Sequence, residues 1–262
     1  MRSLVIFIGL LLATAAHAAP FPSPADWRDE NIYFIFLDRF YDGDPSNNNV
    51  ESAHGASYSP SDAHAIHGGD LKGVQQKLDY IKSLGATAIW VTPIVYNVGN
   101  SAFHGYGAQD FYQLAPHWGT MTDLSNMVSA AHARGIKVIL DIVCNHSGDL
   151  IDSGDAGYPN FLAPPAGYNM RYTNPSQQHA PPFNITNATP STFTSIFHNN
   201  GAIQNFGITQ QVVLGELDGL DDFATETAYV RTNMAKIYEY WVGAGDFDGF
   251  RIDTVKHVDY GF

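Results

Sequence analysis

The sequence predicts an α/β fold built on a parallel sheet and interrupted by one long irregular insertion. Three observations carry that expectation. Four short β-branched, apolar segments recur at residues 32–37, 88–92, 136–142 and 249–252, and continuous apolar runs of this length are the pattern of strands buried on both faces. Stretches of helical period separate them, and strands alternating with helices build parallel sheets. Between the third and fourth segments, residues 147–219 are rich in Pro, Asn, Gly, Ser and Thr with no sustained period.

In chain order, the first strand leads to a helix over 71–84, where Leu71, Val74, Leu78 and Ile81 fall on one face. The second strand leads to a helix over 124–133 and then to the third strand. The insertion is expected to be a small subdomain, because structureless loops beyond roughly 15 residues are uncommon in compact domains. A helix over 227–242 brings the chain to its fourth strand.

Three of these strands run into carboxylates, at Asp38, Asp141 and Asp253. In parallel α/β folds the carboxyl ends of the strands are where ligands bind and chemistry is done. Asp253 is the foremost catalytic candidate: it follows a buried strand, and Arg251, Lys256 and His257 flank it. Cations at those positions would keep the carboxyl ionised, as a nucleophile requires. The same local pattern also suits an N-cap of a following helix.

Residues 1–18 read as a secretory signal: Arg2 precedes the apolar run 4–12 and then a small-residue stretch with a cleavage point after Ala18. The run is too short to span a bilayer, so an exported extracellular protein without a membrane partner is expected. Hydrophobic residues make up 45% of the chain, enough for a sizeable core and against global disorder. The net charge of −13 repels phosphate backbones and argues against nucleic acid. Cys144 is the sole cysteine, so no intrachain disulfide can form, and packing or a bound cation must stabilise the exported fold.

A family resemblance decides between the readings of Asp253. Gly249-Phe250-Arg251-Ile252-Asp253-Thr254-Val255-Lys256-His257 resembles the α-amylase family segment that carries the catalytic nucleophile. Asp141-Ile142-Val143-Cys144-Asn145-His146 is similar to an earlier segment of that family, and Ala102-Phe103-His104-Gly105-Tyr106 to the loop lining the subsite before the scissile bond. Leu220-Asp221-Asp222-Phe223 resembles its short calcium-binding motif. The resemblance implies Asp253 as nucleophile, Arg251 as its support, Asp141 as the support of that arginine, and His104, Tyr106, His146, Lys256 and His257 as sugar contacts. It implies a calcium site from Asn145, Asp222 and the His257 carbonyl. Asp42, Asp44, Asn47 and Asn48 supply oxygens around one turn, and with Gly68 and Asp70 they resemble a second calcium loop of cyclodextrin glucanotransferases and maltogenic amylases. Such Asp/Asn/Gly clusters also form plain turns.

The expected architecture is therefore a partial (β/α)8 TIM barrel, about its first four strands, with an inserted irregular calcium-binding subdomain after the third strand. Residues 19–146 would form the first part of the barrel, 147–219 the subdomain, and 220–262 the continuation. The implied activity is retaining hydrolysis of α-1,4 bonds in starch or maltooligosaccharides by a monomer. Glucan transfer and noncatalytic glucan binding are the alternatives. Asp218 stands where cyclising relatives carry an aromatic, which favours hydrolysis. The family's general acid follows the next strand, and Glu216, Glu226 and Glu239 lie upstream of Asp253 in the wrong order. The chain is thus expected to be an N-terminal fragment, inactive alone.

Overall fold

The computed structural model describes residues 23–52, 55–97, 99, 102–151 and 171–262. In chain order its elements are β1 (Ile32–Ile35), α1 (Leu37–Phe40), α2 (Leu71–Ser83), β2 (Ala88–Val91), β3 (Val95–Asn97), β4 (Ala108–Leu114), α3 (Met121–His132), β5 (Lys137–Val143), α4 (Pro190–Phe193), α5 (Thr209–Leu214), α6 (Ala228–Gly245) and β6 (Gly249–Asp253). β1, β2, β5 and β6 form, in that order, one parallel sheet. The expected signal and part of the expected subdomain lie outside the described residues. Among those described, no helix is long and apolar enough to cross a membrane.

The crossover helices pack side by side, α2 on α3 and α3 on α6. Leu78 and Ile81 of α2, Met127 and Val128 of α3, and Ile237 and Trp241 of α6 share one buried cluster with Ile89, Val138 and Leu140 of the sheet. The opposite face differs between strands. β5 is buried on both faces, whereas Ile32 and Phe34 of β1 are exposed on the face away from the helices, and Phe250 of β6 is partly exposed on the helix side, beside Tyr238 of α6. Burial on both faces, expected of all four strands, therefore fails at β1 and β6, the two edges of the described sheet.

Helix starts follow side-chain caps. The Asp70 carboxylate accepts the Gly73 amide at the head of α2, and Thr227 does the same for Val230 at α6. A capping box between Thr120 and Asp123 starts α3 at Met121, ahead of the expected position.

Two expected strand ends move. β1 stops at Ile35, because the Leu37 amide is taken by the Thr92 hydroxyl at 3.1 Å and the Arg39 amide turns back to the Phe36 carbonyl, so Asp38 sits in α1. β5 continues to Val143, placing Asp141 within the strand. The antiparallel hairpin of β3 and β4 was not anticipated. Its register shifts twice, and β4 buries Ala108, Phe111 and Leu114 at intervals of three, so the alternation that marks a strand is missing.

Between β5 and α6 the described residues hold the short helices α4 and α5 and isolated bridges, His146 with Asp222, Ile151 with Tyr172, Phe197 with Phe223 and Ala202 with Glu216. Phe111, Phe183, Phe197 and Phe223 join this region to the main core.

Gly73 gives a test of the α2 packing. Alanine normally stabilises a helix interior by about 1 kcal/mol over glycine, yet a Cβ here would lie 1.8 Å from the Tyr41 carbonyl oxygen. Gly73→Ala should therefore destabilise the chain by about 1 to 3 kcal/mol in urea unfolding. An unchanged or raised midpoint would contradict the packing described.

Candidate active site

The register of the sheet gathers the polar groups. Trp90 pairs with Ile139 and Asp141 with Arg251, while Val143 pairs with Asp253. Side chains two apart on a strand share a face, so Trp90, Asp141, Arg251 and Asp253 emerge together. Asp141 is buried, and its Oδ2 accepts the Tyr106 hydroxyl at 2.7 Å and the Trp90 indole N–H at 2.9 Å. Arg251 Nη1 donates to Asp141 Oδ1 at 3.1 Å and to Asp253 Oδ1 at 2.6 Å. The guanidinium carbon lies 4.9 Å from the centre of the Trp90 ring. Burial pushes the Asp141 carboxyl up, opposed by its bonds to Tyr106, Arg251 and Trp90. Burial also opposes the charge on Arg251, but its bonds to Asp141 and Asp253 prevail and raise it. Tyr106 is raised by burial and then by the Asp141 charge.

The loop after β3 brings the expected sugar contacts to the same place. Gly105 adopts φ +82°, and a Cβ there would lie 2.2 Å from the Pro93 carbonyl oxygen, so this turn requires glycine. Asn97 clamps the turn: its amide donates to the Gly105 carbonyl at 3.1 Å, and its carbonyl accepts the Gly107 amide at 2.6 Å. His104 Nδ1 accepts the Tyr106 amide at 2.9 Å, and His146 Nε2 donates to the Tyr106 carbonyl at 3.2 Å. Burial pushes His146 down to about 4, with Asp253 opposing and His257 and His104 reinforcing the shift, which puts each of those three groups within electrostatic range of His146. The buried His257 ring donates to the Val212 carbonyl at 3.0 Å, tying the segment after β6 to α5. Lys256 is exposed. Residues 254–257 form turns, with Thr254 at φ +48°, so Asp253 does not cap a helix there.

Two oxygen clusters lie outside this network. At the first, the Phe223 amide donates to the Asn145 carbonyl at 2.8 Å, and His146 bridges Asp222. Asn145 and Asp222 are thereby brought together, and Oδ1 of each is buried without a hydrogen-bond partner. Burial pushes Asp222 up to about 7, against the pull of His198 and a smaller one from the Asn145 amide. His198, in spite of burial, is raised to about 9 by Asp222 and Glu226.

At the second, Asn48 donates to Asp42 Oδ2 at 2.8 Å and Asn47 to Asp70 Oδ2 at 3.1 Å. Asp42 Oδ1, Asn47 Oδ1 and Asn48 Oδ1 are all buried without a partner. Gly68, at φ +93°, lies against the Asn48 amide, where a Cβ would come within 2.7 Å of Oδ1. Burial raises Asp70, with the Gly73, Asn47 and Gly43 bonds opposing. Asp44 stands apart: its carboxylate binds Lys72 and Ser46, which holds it down at about 2. Hard cations take several oxygen ligands, and unpartnered buried oxygens in both clusters fit that demand. Among the described residues, no group of three or more His, Cys, Asp or Glu side chains is placed to hold a metal.

The family model for the α-amylase catalytic domain matches residues 34–261. The chain belongs to that family. It is 37% identical over 237 residues to an α-amylase of Streptomyces lividans, covering 78% of this chain and 26% of that relative. It is 34% identical over 253 residues to a cyclomaltodextrin glucanotransferase of Klebsiella oxytoca, covering 94% of this chain and 35% of the relative. The crystal structure of an Anoxybacillus α-amylase superimposes with a TM-score of 0.69 at 36% identity, over 90% of this chain and 43% of that one. This α-amylase-family chain thus spans less than half the length of each of these relatives.

Trp90 and Asn97 were missed in the sequence. Trp90 sits in an apolar strand, where an indole reads as core, and Asn97 reads as ordinary loop polarity. His198 and Glu226 carried no motif. The His146 environment can be tested directly. A neutral buried imidazole with its folded value near 4, against about 6.5 unfolded, favours the unfolded chain as pH falls through that window, so His146 removes stability between those values and none above. Histidine NMR titration should show His146 neutral at pH 6, and a midpoint above about 6 would contradict its burial.

Proposed function

We propose that this chain carries the nucleophile side of an exported, retaining α-glucan hydrolase acting on α-1,4 linkages in starch or maltooligosaccharides. The observation that carries it is the Asp253 carboxylate, bound through Oδ1 by Arg251 at 2.6 Å and largely buried beside the His104, Tyr106 and His146 loop contacts. Asp253 attacks the anomeric carbon, the bond to the leaving oxygen breaks, and a glycosyl ester forms on Asp253. Water then cleaves that ester, and two inversions retain the configuration. Arg251, donating to Asp253 Oδ1, orients the carboxylate for the attack. Tyr106, His104, His146, Lys256 and His257 would hold the sugar.

The departing oxygen needs a proton. Glu226 is committed to His198, Glu239 is exposed on α6, and Glu216 is buried on its bridge to Ala202, so the donor is proposed to lie in a segment beyond Phe262, in keeping with the greater length of the relatives. The two oxygen clusters would hold calcium, through Asn145, Asp222 and the His257 carbonyl, and through Asp42, Asn47, Asn48, Gly68 and Asp70. Asp44 is the weakest candidate of that set because Lys72 already neutralises it. Bound calcium would offset the buried negative charge there. Glucan transfer remains the second reading, supported by the likeness to cyclomaltodextrin glucanotransferases. It differs only in whether a sugar hydroxyl or water resolves the ester.

An α-maltosyl fluoride substrate tests the nucleophile without requiring the proton donor, because fluoride leaves unaided. Intact-protein and peptide mass spectrometry should find a maltosyl ester on Asp253, absent in Asp253→Asn. No adduct on the parent chain, or one that survives the substitution, would contradict the assignment.

A further inference from the structure

The Asp222 carboxylate is held from behind. Its Oδ2 accepts His198 Nδ1 at 2.7 Å, and His198 Nε2 reaches the Glu226 carboxylate at 3.0 Å. The ring has no freedom to leave this position. The His198 amide donates to the Asp222 carbonyl at 3.0 Å, the Ala224 amide to Ile196 at 2.8 Å, and between them Phe197 stacks on Phe223 with 5.0 Å between ring centres. With Oδ2 taken, Asp222 presents only Oδ1, which is buried, unpartnered and carried on the same backbone bridge as the equally unpartnered Asn145 Oδ1.

We propose that His198, backed by Glu226, is a positioning residue for a divalent cation at the Asn145–Asp222 oxygens, fixing which carboxylate oxygen faces the ion. The inference rests on the calcium reading of that cluster and goes beyond it, since neither His198 nor Glu226 would touch the metal. Released from His198, the carboxylate could rotate or pair elsewhere, and ordering it would then have to be done by the ion itself. Outer partners of this kind typically contribute about 10- to 100-fold in metal affinity. Glu226 fixes the ring from its far side, and its half-exposed side chain makes it the gentler site for substitution.

Calorimetric titration of the full chain with calcium chloride tests this. The event lost in Asn145→Ala identifies the site and separates it from the Asp42 cluster. His198→Gln, close to histidine in volume but with its amide placed toward Glu226, should weaken that event at least tenfold. His198→Asn, smaller but with an amide where Nδ1 stood, should stay within about threefold of the parent. A role in filling space alone would rank the two the other way. Should His198→Gln fail to fold by near-UV circular dichroism, Glu226→Gln should weaken the same event by a smaller factor and leave the Asp42 event unchanged. Affinities for His198→Gln or Glu226→Gln equal to the parent's would overturn the inference. The absence of any Asn145-dependent event in the parent would overturn the calcium reading itself, and the inference with it.

Discussion

The Arg251 guanidinium lies between carboxylates from two neighbouring strands, Asp141 on β5 and Asp253 on β6, and above the ring of Trp90 on β2. Asp141 is almost fully buried, and an unpaired charge at such a place costs several kcal/mol. Arg251, Tyr106 and Trp90 all donate to it, so the strand register, the loop after β3 and the inner sheet face meet in one network. A slip of one residue between β5 and β6 would turn Arg251 and Asp253 to the helix side and leave Asp141 without its cation.

The surrounding elements keep that network in place. Helices α2, α3 and α6 cover one face of the sheet, which fixes the other as the face from which the polar residues emerge. The loop clamped by Asn97 delivers Tyr106 to Asp141. The segment between β5 and α6 is tied down at the Asn145–Phe223 hydrogen bond, close to where β5 ends. Both oxygen clusters sit on connections that leave or approach the carboxyl ends of strands, so any cation bound there would act on the loops that frame the site and leave the sheet unchanged.

Much of this was legible in the sequence because the signals were local. The four parallel strands, the helices between them and Asp253 at the end of β6 follow from apolar runs and helical spacing. The resemblance then singled out Asp253, Arg251, His104, Tyr106 and His146, which the structure brings together. What escaped depended on nonlocal partners. The hairpin was hidden by bulges that replace alternation with intervals of three. Asp38 left its expected strand end because the Thr92 hydroxyl took the next ladder bond. His198 acquires meaning only opposite Asp222, 24 residues away, and Asp44 pairs with Lys72, 28 residues away. No pattern within a single strand or helix encodes such pairings.

The dependence on the Arg251 network is tested most directly by a double-mutant cycle with Asp141→Asn and Arg251→Gln, read as unfolding free energies in urea. Each single change deprives the other partner of this ion pair, so the double variant should be more stable than the sum of the singles predicts, with a coupling of about 1 to 3 kcal/mol. Effects that add to within about 0.5 kcal/mol would show that the two side chains contribute independently and would contradict this account of the site.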